Sequence, residues 1–72
     1  NDAYYRSYDP YLRSTYLARL SRLVWIRHRR SEDLTDLGLA MLDRCIEATR
    51  LDCIDVGAAG AAARIIAAVE QR

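Results

Sequence analysis

The stretch RLSRLVWIRHRRSEDLTDL, residues 19–37, changes character halfway. Its first half is a basic run with helical apolar spacing that carries Trp25. Its second half opens on Ser31, Glu32 and Asp33, residue types that start helices and suit their positive N-terminal end. The connection between the halves is very short, and short connections make helices antiparallel neighbours. This stretch therefore reads as the corner of a helical hairpin, and the chain as an all-α protein.

Towards the N-terminus, Asp9-Pro10 is a strong helix start, with Asp at the N-cap and Pro at the first helical position. A first helix is expected over about residues 10–30. Leu12, Tyr16, Leu17, Leu20, Leu23, Val24 and Ile26 fall within one half of its circumference and form a broad core stripe. Tyr11, Ala18 and Trp25 recur every seven residues on the other side, with Arg22 and Arg29 beside them. That second, aromatic and basic stripe needs its own explanation. Residues 1–9, NDAYYRSYD, show no helical period and read as a Tyr-rich tail ahead of a single small helical domain over 10–72.

Towards the C-terminus, a second helix is expected over about 32–50, capped by Ser31. Leu34, Leu37, Gly38, Met41, Leu42, Cys45, Ile46, Ala48 and Thr49 share a face opposite Asp36, Asp43, Glu47 and Arg50. The phase fails after Thr49, where Asp52 would enter the apolar face. A third helix over about 52–71 restores it, aligning Leu51, Ile54, Ala58, Ala62, Ile65, Ile66 and Val69 and turning Cys53 off the core face. Gly57, Gly60 and Ala61, within GAAGAAA, lie away from that line. They make a smooth surface that another helix can approach closely.

At 72 residues the chain supports one small core, which is thin without a disulfide, a metal or a partner. We therefore expect self-association or a partner chain to complete the core. Net charge is only +1, but it is unevenly spread: residues 1–30 carry net +5, residues 31–56 net −5 and residues 57–72 net +1. In an antiparallel hairpin the flanking Arg and acidic residues of the two helices can pair and fix the register. All eleven basic residues are Arg, as a GC-rich genome would produce.

Candidate chemistry is sparse. His28 is the sole histidine and has no carboxylate, nucleophile or ligand set that spacing would bring to it. Cys45 and Cys53, with one His and no CxxC, are too few soft ligands for a zinc site. Phosphate-binding glycine loops, HExxH and GxSxG are all missing. No catalytic residue, cofactor, metal or small-molecule substrate is expected. No apolar run reaches membrane-spanning length, and a reduced, cytoplasmic setting is the default.

The expected function is a small non-enzymatic helical interaction module: a homo-oligomer, or a small subunit or adaptor whose partner is another helical protein. Tyr11, Ala18, Arg22, Trp25 and Arg29 are the leading contact residues, because Trp, Tyr and Arg are enriched at interface hot spots. Gly57, Gly60 and Ala61 are a second candidate contact. The alternative is a nucleic-acid-binding regulator using Arg22, Arg27, His28, Arg29 and Arg30, with Arg on phosphate and aromatics on bases. Against it, the Arg residues of helix 1 do not share one face, and the acidic second helix repels phosphate.

Overall fold

A computed structural model describes residues 9–70. It contains three α-helices and no strand among those residues: α1 spans Pro10–Arg29, α2 Asp36–Asp55 and α3 Ala59–Glu70. The Tyr-rich tail expected over 1–9 lies outside the described residues except for Asp9, which caps α1.

The start of α1 follows the expected chemistry. An Asp9 carboxylate oxygen accepts from the backbone N–H of Tyr11 at 2.9 Å and of Leu12 at 3.3 Å, satisfying two of the orphan donors of the first turn. Pro10 follows at the first helical position. Arg27, His28 and Arg29 occupy the last turn, where positive charge complements the exposed carbonyls.

The corner differs from the sequence expectation. Ser31 does not cap α2; Ser31–Asp33 forms a turn of 3-10 helix, tightened by an Arg30–Asp33 ion pair at 2.7 Å. Leu34 is extended, and Thr35 caps α2 by accepting from the Gly38 N–H at 3.0 Å. The acidic residues at 32 and 33 are thus spent in the turn, and α2 begins four residues later than expected.

The second difference lies at the other end of α2. The helix runs on to Asp55, because its core line is Ile46, Thr49, Cys53 and Val56, spaced by three and four residues. This line is rotated from the face read in the sequence. Thr49 can join it because its hydroxyl donates to the Cys45 carbonyl at 2.8 Å, which leaves no unsatisfied polar atom. Asp52 stays at the edge of the line, so the expected phase break never occurs.

Gly57, not an earlier residue, stops α2. Its φ of 77° lies in the left-handed region, where a Cβ is penalised. The Gly57 N–H donates to the Ile54 carbonyl at 3.0 Å and the Ala58 N–H to the Cys53 carbonyl at 2.8 Å, the paired bonds of a Schellman C-cap. Arg13 of α1 completes this cap from across the hairpin, its Nε donating to the Val56 carbonyl at 3.1 Å. The third helix therefore starts at Ala59 rather than near residue 52.

Leu20 and Val24 of α1, Cys53 and Val56 at the end of α2, and Ala58 and Ala62 of the turn and α3 form the buried core. Leu12, Tyr16, Leu17, Ile46, Ile65, Ile66 and Val69 are half-buried around it. Three of the six core residues are Ala or Cys, and α2 before Thr49 buries nothing fully. The radius of gyration is 13.1 Å, against about 11 Å for a compact chain of this length. The molecule is a thin slab, with much of its apolar side-chain volume outside.

Candidate interaction surface

The outward side of α1 carries the aromatic and basic stripe. Heptad spacing on a 3.6-residue helix keeps Tyr11, Ala18 and Trp25 in one line, and Leu20 and Val24 turn to the opposite, buried side. Tyr11 is 74% exposed and Trp25 48% exposed; Ala18, Arg22 and Arg29 are exposed with them. The structure thus brings all five leading residues onto one accessible line of about five helical turns. Helix α3 packs on the other side of α1, against Leu20 and Val24, and leaves Trp25 half open.

The remaining arginines of α1 are engaged. Arg13 caps α2, Arg19 lies over the Tyr16 ring at 5.5 Å from its centroid, and Arg27 bridges to Asp43 of α2 at 2.7 Å. Arg30 is tied to Asp33. The opposite charges of the two helices therefore meet in a single described cross-hairpin ion pair, Arg27–Asp43, and an exposed pair of this kind contributes under about 1 kcal/mol. The proposed nucleic-acid set is divided by this. Arg27 and Arg30 hold carboxylates, while Arg22, His28 and Arg29 are exposed along or beside the aromatic line.

The glycine surface is reapportioned. Gly57 belongs to the C-cap, and Ala58 and Ala62 of GAAGAAA face the core. Gly60 is exposed; a Cβ there would meet only the Arg64 guanidinium, at 3.6 Å. Ala61 is half-buried. The small residues in this segment thus serve mainly the close packing of α3 on α1 and α2.

The thiols exchange their expected places. Cys53 is fully buried, its thiol pushed up by burial and secondarily by the Asp52 charge, and Cys45 is exposed. Both are free. The reversal follows from the rotation of the α2 core line. The same rotation puts Leu37, Met41, Leu51 and Ile54 outside, although the sequence assigned all four to apolar core faces. This exposed line on α2 is a second apolar surface. Its signal in the sequence was the extra apolar width of α2, more than one face of a single partner can bury.

A shallow cleft of about 300 Å³ lies between Val24, Arg27, His28, Asp43, Ile46, Ile66 and Glu70. It places His28 near two carboxylate-bearing residues, but no nucleophile lines it. No cluster of three or more His, Cys, Asp or Glu able to hold a metal occurs among the described residues. No helix among them is long and apolar enough to cross a membrane. No protein-family model, curated protein or solved structure matches this chain.

Proposed function

We propose that the chain is a small, non-enzymatic helical interaction module that recognises another protein, or a further copy of itself, through the outward face of α1. One observation carries this reading. Trp25, the largest apolar side chain, stays half exposed in line with Tyr11 while the core beneath is built partly of Ala and Cys. Isolated exposed apolar residues are ordinary on soluble proteins. A Trp and a Tyr at helical spacing, flanked by Arg22 and Arg29, instead have the composition of a hot spot.

The test is Trp25→Ala, followed by circular dichroism and by light scattering of the purified complex or oligomer. The expected result is unchanged helicity with loss of association. A variant that keeps both fold and association overturns the reading.

The exposure of Arg22 and Arg29 beside Trp25 also favours a second reading, in which this face lies along nucleic acid. Phosphate contacts weaken steeply with added salt, whereas an apolar helical interface persists. Nucleic acid that co-purifies and is shed at high salt would decide for the second reading.

A further inference from the structure

From the exposed face of α2 we infer that it is an antiparallel homodimer seam, in which this helix packs against the same helix of a second copy. The inference rests on the interaction-module reading and assigns it a second, separate contact. The observation is the order of residues on the outward line. Leu37, Met41, Arg44, Ala48, Leu51 and Asp55 are spaced four, three, four, three and four residues apart, the seam spacing of a coiled coil. All six are exposed, Leu37 at 71% and Met41 at 58%, and the buried line of α2 runs along the opposite side.

The side chains along this seam choose the occupant. In a parallel in-register pair, Arg44 would face Arg44 of the second copy and Asp55 would face Asp55. Like charges directly opposed are destabilising, so this pairing is disfavoured. An antiparallel pair centred on residue 44 opposes the same two arginines. Moving the centre to residue 46 separates the two arginines and leaves Leu37 opposite Asp55 only at the two ends of the seam. Met41 then opposes Leu51 of the second copy, and Ala48 leaves room for the long Arg44 side chain.

The flanking positions agree with this register. Exposed Ile54 lies beside small Ala40 of the second copy, and Arg44 lies beside its Glu47. Arg44 makes no ion pair among the described residues, and Glu47 is held only from one side, by Arg50. A two-fold axis therefore gives Met41 and Leu51 apolar counterparts and each Arg44 a small counterpart with an acid beside it, while the two Glu47 residues meet across the axis, each flanked by its own Arg50 and by Arg44 of the second copy. An isologous contact needs one surface that complements itself, and the middle of this seam, from Met41 to Leu51, does.

The register also places the two Cys45 residues across the axis, offset by about 3 Å along the helices. Cys45 is exposed and Cys53 is buried, so a thiol probe reads this contact selectively.

The experiment uses the full chain in light scattering over a concentration series, with a short bismaleimide that adds one thiol at each end. The expected result is a dimer cross-linked through Cys45, with cross-linking abolished by Cys45→Ser. Met41→Asp should raise the dimer dissociation constant at least about a hundredfold, because it buries an unpaired charge, while helicity is retained. Arg44→Glu should weaken the dimer, and Arg44→Glu combined with Glu47→Arg should restore it.

A chain that stays monomeric at every concentration overturns the inference. So does a dimer indifferent to Met41→Asp. If such a dimer is instead lost in Trp25→Ala, the α1 reading stands and the α2 seam falls. If Met41→Asp dissolves the dimer and Trp25→Ala changes no association, the seam stands and the α1 reading falls.

Discussion

The inner seam of the molecule and the outer line of α2 invert the usual distribution of side-chain size. Inside, Cys53, Val56, Ala58 and Ala62 close around Leu20 and Val24. Outside, Leu37, Met41, Leu51 and Ile54 stand in solvent. The inner seam gains from proximity: small residues let α3 lie close to α1 and α2, and density replaces volume. The outer line is apolar area without a described neighbour. The difference shows that apolar content alone does not locate a core. Which line becomes the core depends on what the adjoining helices can approach.

The sharpest way to break the comparison is to remove equal volume from each side. Leu20→Ala should lower folding stability by about 3 kcal/mol, most of what a domain of this size possesses. Leu37→Ala should change it by less than about 0.5 kcal/mol at concentrations too low for association. Urea denaturation followed by circular dichroism measures both. Similar values for the two variants would erase the distinction between the lines.

A smaller effect is expected where the seam turns. Gly57→Ala should cost about 1 to 2 kcal/mol, because the left-handed conformation brings the new Cβ against the backbone. Gly60→Ala meets only Arg64 and sits in helical geometry, so it should be neutral or slightly stabilising. Thermal melts of the two variants test whether the turn at 57, rather than glycine content generally, holds the small-residue seam in place.

The smallest effect lies on the flank of α2. The Arg50 guanidinium bonds both oxygens of Glu47, lowering the carboxyl below its usual value of 4.5. A depressed carboxyl stabilises the fold when it is ionised. That contribution is therefore present at neutral pH and is lost as the pH falls below about 4.5 through the lowered value. Arg50→Gln should flatten the melting temperature against pH in that acid window and leave the inner seam unaffected.

The parts of the fold legible in the sequence are those encoded locally. Asp9-Pro10 marks the first turn of α1 without reference to anything distant. The wide stripe from Leu12 to Ile26 and the basic-to-acidic change after Arg30 mark the hairpin. The outward line of Tyr11, Ala18, Arg22, Trp25 and Arg29 was legible for the same reason, since one long regular helix carries it.

The existence of α2 was legible, but its ends and its core line were not, and the reason is physical. Its two lines, Leu37–Met41–Ala48 and Leu42–Ile46–Cys53, differ little in apolarity. Periodicity averaged them into one face between the two. Spacing alone places Thr49 on the apolar face, but the hydroxyl bond to the Cys45 carbonyl that lets it be buried is invisible to a hydropathy pattern. Gly57 reads as a weak helix residue until its positive φ reveals a stop.

The Arg13 bond to the Val56 carbonyl joins residues 43 positions apart, at the end of the hairpin away from the turn. A two-helix hairpin normally has one closed end and one free end, and it frays from the free one. Here the 3-10 turn fastens one end and the guanidinium fastens the other. Backbone amides at the start of α1 and the end of α2 should therefore exchange with solvent on the same timescale as those at its centre. The hairpin would then behave as one cooperative opening unit.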